Sequence, residues 1–188
     1  MKRSKWLAYQ LIIALAATGS LSAADLKEGF SDIRWETDIA ALSDFGKIDE
    51  KKDVSYYINL KKSYTVFDQE IPTVIYGCFK HKFFAVYIPV NSIELFGRLK
   101  KHIDSKYGSP DIQLDMQNEQ KIYAWKYANI KIKLKLYEKQ GKMKLGIYYA
   151  PLSRQVNKAQ QEAFPEAKKP LFPMDERRLK EALDVMGF

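Results

Sequence analysis

The sequence predicts an α+β domain, an antiparallel β-sheet with helices packed on one face, built as two helix-plus-strands halves. Three observations predict it. From Tyr127 to Pro151 the chain alternates apolar residues with lysines, the period-2 pattern of a half-buried strand. From Asn91 to Tyr107 the apolar residues recur at three- and four-residue steps, the period of a helix. The aromatic content, 12 Tyr, 10 Phe and 3 Trp, suits the pleated surfaces of a sheet-heavy core.

The first 24 residues read as an address. Lys2, Arg3 and Lys5 precede the apolar run Trp6 to Ala17, and Ser22, Ala23 and Ala24 supply small residues for cleavage. The run is shorter than the roughly 20 apolar residues a bilayer-spanning helix needs. A cleaved signal peptide over 1–24 is expected, with a periplasmic or secreted product. No cysteine follows the apolar run to carry a lipid anchor. Taking those three basic residues from the 31 leaves 28 against 23 acidic ones, a net +5 that permits anion binding without demanding it.

The remainder divides into an α+β domain over 25–151, a helical and proline-containing linker over 152–174, and an amphipathic helix over 175–188. Phe30, Ile33 and Trp35 anchor an entering segment, and Thr37 or Asp38 caps a short helix through Leu42. The charged run Lys47 to Asp53 reads as a loop. Next come four β-rich stretches, "VSYYINL" and "SYTVF" as edge strands and "IPTVIYGCF" and "FFAVYIPV" as central ones. Lys80-His81 is the turn of the last pair, with Cys78 opposite Phe83, Tyr76 opposite Ala85 and Val74 opposite Tyr87.

Asn91 and Glu94 have capping-box spacing at the start of the helix. Ile93, Phe96, Leu99, Ile103 and Tyr107 form its stripe, and Gly108 with Pro110 ends it. Three strands follow. "KIYAWKY" pairs with "IKIKLKLY" across Ala128-Asn129, with Trp125 opposite Ile132. "IKIKLKLY" pairs with "MKLGIYYA" across Gln140-Gly141, with Leu136 opposite Leu145 and Ile132 opposite Tyr149. Both pairings put apolar residues on one face. The other face then carries Lys126, Lys131, Lys133, Lys135 and Lys144, with Tyr137 and Tyr148 among them.

That lysine face is the candidate binding surface, for an anionic polymer, a lipid or a partner's acidic patch. Its other reading is a solvated sheet face whose lysines discourage edge-to-edge aggregation. Lys126 opposite Lys131 costs at most about 1 kcal/mol, so repulsion alone does not require a ligand. Nucleic acid is disfavoured, since no RNP-like, helix-turn-helix or zinc-finger signature is present. No motif for a cofactor or metal appears: there is no Gly-rich phosphate loop, no G-x-S-x-G and no H-E-x-x-H. Cys78 and His81 form Cys-x-x-His, but a core-facing strand residue and a solvent-facing turn residue do not make a nucleophile and base. Asp111 and Asp115 fall in a loop. A non-catalytic module is therefore expected, with an enzyme of unknown class as the remaining alternative.

The segment Phe30-x-x-Ile33-x-Trp35-x-Thr37, the "KYG.P" ending of the helix at Lys106 to Pro110, and the Tyr123 and Trp125 pair resemble a set of motifs in small uncharacterised exported proteins of Gram-negative bacteria. Those proteins open with F-x-G-I-x-W-G-T after a signal peptide. The likeness spans about Gly29 to Tyr149 and implies an exported envelope domain with no known activity. This chain departs at Asp32 and Glu36, where glycines are usual, so a different local turn is expected.

Overall fold

The computed structural model describes residues 25–71, 73–115 and 119–163. The expected signal peptide, the later part of the linker and the C-terminal helix lie outside the described residues.

The chain enters through a 3-10 turn, Asp25–Lys27, and a two-residue hairpin, β1 (Gly29–Phe30) and β2 (Ile33–Arg34). Trp35 donates its indole N–H to the Leu26 carbonyl at 2.9 Å. Its ring stacks on Phe83 at 4.7 Å and on Tyr149 at 6.0 Å. Phe30 and Trp35 are buried, as an anchoring role requires. At Glu36, where the resembled segment has glycine, the backbone holds φ at 70°. The Glu36 side chain faces outward and accepts from Lys82 Nζ at 3.2 Å. A short 3-10 turn, Ile39–Ala41, follows, with Asp38 accepting from the Ala40 N–H at 3.0 Å as its cap.

The main sheet has eight antiparallel strands drawn from two four-stranded runs. The first run is β3 (Phe45–Lys51), β4 (Val54–Asn59), β7 (Ile75–Phe79) and β8 (Lys82–Val90). A separate hairpin, β5 (Tyr64–Val66) and β6 (Gln69–Ile71), is inserted between β4 and β7. The second run is β9 (Asp111–Asp115), β10 (Gln120–Tyr127), β11 (Ile130–Tyr137) and β12 (Lys142–Tyr149). The spatial order is β3-β4-β7-β8-β12-β11-β10-β9, so the last strands of the two runs meet in the centre.

Between the runs lies α1 (Ile93–Tyr107), and directly after β12 comes α2 (Ala150–Ala163). The expectation that helices share one face is corrected. On α1, Leu95, Phe96, Leu99 and Ile103 pack with Val86, Ile88, Ile132, Leu134 and Ile147. On α2, Leu152 and Val156 pack with Tyr56, Phe84, Ala85 and Tyr87, which point the other way. Each helix covers its own face of the sheet. The domain boundary expected after Pro151 accordingly falls inside a packed helix.

Several local expectations are also corrected. The α1 cap is Ser92, whose Oγ accepts from the Leu95 N–H at 3.1 Å, rather than Asn91. Ile93 is 69% exposed, and Leu95 takes its place in the stripe. The charged run from Lys47 is edge strand β3, whose many charges suit an edge that must not recruit another sheet. Asp111 and Asp115 lie in β9, the opposite edge, rather than in a loop. The stretch "VSYYINL" gives β4, an inner strand, while "SYTVF" gives β5 in the separate hairpin.

Turn chemistry explains the register. Lys80 and His81 form the β7–β8 turn, both at positive φ (47° and 65°), and Cys78 does pair with Phe83. A bulge at Phe84 then shifts the ladder, so Gly77 faces Ala85 and Tyr76 faces Val86. This moves Val86 onto the α1 face and Ala85 and Tyr87 onto the other, while Tyr76 stays with Cys78 and Phe83. The β10–β11 turn falls where expected, with Trp125 opposite Ile132 and Lys126 opposite Lys131; the positive φ is on Ala128, at 49°. The β11–β12 loop is four residues long, closing between Tyr137 and Lys142 with Gly141 at φ 61°. Leu136 consequently faces Met143 and Ile132 faces Ile147, two residues from the expected register. A slip of two preserves side-chain parity, so every residue keeps its expected face.

Candidate functional site

Strand β11 sorts its residues by alternation. Ile130, Ile132 and Leu134 are buried on the α1 side. Lys131, Lys133 and Lys135 take the other side, about 7 Å apart along the strand. In a sheet open to water these three would stand free. Here the chain passes from β12 into α2 with no loop. The Ala150 N–H donates to the Asn129 carbonyl at 2.7 Å. Pro151 sits in the first helical turn, where its missing N–H costs nothing. Leu152 and Val156 then hold α2 against the lysine face.

The result is a groove of about 260 Å³. Lys131, Lys133 and Lys135 line one part of it, with Gln113 and Ile122 beside them. Val54, Tyr56, Phe84, Tyr87 and Val156 make an apolar part. Ser153, Asn157 and Gln160 of α2 present polar side chains along its wall, and Tyr148 lies between the two parts. Tyr148 and Tyr87 meet edge to face at 5.6 Å, and Tyr56 lies 6.1 Å from Tyr87.

Gly146 makes this arrangement possible. It pairs with Lys133 on one side and Tyr87 on the other, and the Tyr148 ring folds over it. A Cβ at position 146 would lie 2.5 Å from the Tyr148 hydroxyl and 2.7 Å from its ring. Only glycine leaves the space that the ring occupies.

The electrostatics are unusual for lysines on a sheet. Lys135 is 6% exposed. Burial pushes the Lys133 ammonium below the ordinary lysine range, and the charge of Lys131 adds to the effect. Among the described residues, no carboxylate lies within ion-pair distance of Lys131 or Lys133. Among the described side chains, Asp49 on β3 stands beside Tyr56, and Asp111 stands beside Lys126 at 3.5 Å. Burial raises the phenols of Tyr56, Tyr87 and Tyr148, so all three stay neutral hydrogen-bonding groups. Partly desolvated ammonium groups without counterions gain from an anion far more than exposed ones do.

The structure brings together Lys131, Lys133, Lys135 and Tyr148 of the expected set. It leaves out three. Lys126 is exposed beside Asp111. Lys144 and Tyr137 pair with each other, the ammonium 5.9 Å from the ring centre, and neither lines the groove. Sequence reasoning missed the floor contributed by Tyr56, Phe84 and Tyr87, and the wall contributed by α2. The wall had a signal: Pro151 at a helix start, then Leu152, Val156 and Ala159 at helical spacing. The floor had none, because only sheet order puts β4 and β8 beside the lysines.

Cys78 is buried, with its thiol pushed up to about 12 by burial, while His81 sits exposed in the turn. No group of three or more His, Cys, Asp or Glu residues among the described residues is placed to hold a metal. No helix of the described residues is long and apolar enough to cross a membrane. No protein-family model matches the chain, and neither the curated proteins nor the solved structures contain a match to it.

Proposed function

We propose that this protein is a non-catalytic binding module of the cell envelope, exported through its N-terminal segment, and that the groove over β11 receives an anionic ligand. One observation carries the reading. Lys131 and Lys133 are drawn into a partly desolvated groove with no carboxylate at ion-pair distance among the described residues. The location follows from the composition of residues 1–24 and from the resemblance of the 29–149 region to exported Gram-negative proteins. The two four-strand runs, each preceded by a helical turn or helix, support a reading of the domain as two repeats.

The test is equilibrium binding of pyrophosphate and of a soluble polyanion at low and moderate ionic strength. Replacing Lys131, Lys133 and Lys135 together with Gln is expected to weaken binding at least ten-fold and to flatten its salt dependence. Unchanged affinity in a folded triple variant would remove the anion reading.

A protein partner is the second reading, favoured by β9. This edge strand exposes Ile112 (57%) and Leu114 (65%) beside a ladder edge that no other strand takes among the described residues, the arrangement used when an extended peptide adds a strand. Recovery of a partner whose binding is lost in Ile112→Lys but kept in the lysine variant would favour it.

A further inference from the structure

The groove is divided in a way that narrows its ligand, provided that it receives an anion at all, the reading on which this narrower one rests. Its cationic part is short. Of the five lysines that the sequence assigns to this face, Lys131, Lys133 and Lys135 line it; Lys126 stands outside beside Asp111, and Lys144 stands outside over Tyr137. A polymer with regularly spaced charges needs a track that continues, and here the track is covered by α2 and gives way to an apolar wall. That wall consists of Val54, Tyr56, Phe84, Tyr87 and Val156. It continues directly from the lysines, with Tyr148 at the junction. The volume, about 260 Å³, lies just under the range of about 300–1,000 Å³ common for pockets that hold drug-sized molecules.

We propose that the groove binds the end of a single anionic amphiphile, with a phosphate or carboxylate head on Lys131 and Lys133 and the first carbons of an alkyl body on the Val54, Tyr56, Phe84 and Tyr87 wall. The neutral donors of the α2 wall, Ser153, Asn157 and Gln160, suit the remaining oxygens of such a head. Burial makes the Lys133 charge costly to hold in the empty groove, a cost that an arriving anion offsets. The apolar wall gains from each methylene it covers, at about 0.8 kcal/mol, or about four-fold in affinity.

The experiment titrates the full mature chain with inorganic phosphate, methyl phosphate, butyl phosphate, hexyl phosphate and hexanol, by calorimetry or by amide chemical shifts. Binding is expected to tighten about four-fold per added methylene over the first few carbons, and hexanol is expected to bind at least ten-fold more weakly than hexyl phosphate. Lys133→Gln should weaken all phosphates alike. Ser153→Trp, which fills the groove from a helix surface position, should abolish the chain-length gain. Each variant is accepted only if its melting temperature and circular dichroism match the parent. If phosphate and hexyl phosphate bind equally and both depend on Lys133, the amphiphile is overturned while the anion reading stands. If long-chain polyphosphate outcompetes hexyl phosphate at equal phosphate concentration, the ligand is a polymer and the amphiphile is again overturned. If no phosphate binds, both readings fall together.

Discussion

The two faces of the central sheet are built from the same strands and are chemically unalike. The α1 face is dry: Ile132, Leu134, Ile147, Val86 and Ile88 interlock with Leu95, Phe96, Leu99 and Ile103, all nearly fully buried. Trp125 completes it, its indole N–H shared between Asp104 Oδ1 at 3.2 Å and the Gly108 carbonyl at 3.0 Å. The α2 face has apolar cover only across β4, β7 and β8, and it leaves lysines and phenols under the rest of the helix. One face holds the fold together; the other is half a core and half a lysine-lined groove. A sheet face closed everywhere by apolar residues would be more stable and would offer nothing to a ligand.

That contrast makes graded predictions. Leu134→Ala, at a fully buried position on the α1 face, should cost about 2–5 kcal/mol in urea denaturation, through lost burial and the cavity left behind. Gly146→Ala on the α2 face should cost about 1–3 kcal/mol, because the added Cβ displaces the Tyr148 ring, and it should weaken ligand binding at the same time. Its neutrality in both assays would mean that the ring is not seated as described. Lys133→Met is expected to change stability by no more than about 1 kcal/mol, and in the favourable direction at neutral pH, because it removes a desolvated charge.

The pH dependence of that last variant has a definite sign. The folded chain holds the Lys133 proton less tightly than the unfolded chain does. Its penalty is therefore complete below the lowered folded value and fades as pH rises toward 10.5, the ordinary value. The advantage of Lys133→Met over the parent should shrink across that window; an advantage that grows would contradict the burial of Lys133. Smallest of all, Lys126→Gln breaks an exposed contact with Asp111 and should shift stability by less than about 0.5 kcal/mol.

Much of this contrast is legible in the sequence, for a definite reason. Face assignment depends only on parity, so the β11 alternation assigns Ile132 and Leu134 to one side and the lysines to the other even with the β12 register wrong by two. Parity fails at Phe84, where a one-residue bulge turns Val86 onto the α1 face and Ala85 and Tyr87 onto the other. Nothing local in "FFAVYIPV" marks that bulge. The edge strands escape sequence reading for separate reasons: β3 is mostly charged, and β9 alternates over only five residues, with Ile112 and Leu114 exposed. The groove itself is half legible. Its lysines come from one strand and can be read in order, whereas its floor comes from β4 and β8 and exists only once the runs meet.

The meeting of β8 and β12 at the middle of the sheet has a consequence for how the molecule is made. Each run has one inner rim that stays bare until the other arrives, and the closing strand is among the last of the described residues to be synthesised. A chain halted before Lys142 presents β8, almost wholly apolar, as an open template for any passing strand. Completion thus waits on contacts distant in sequence, which favours slow folding. A nascent chain of this design benefits from being kept unfolded until its whole length is in one compartment.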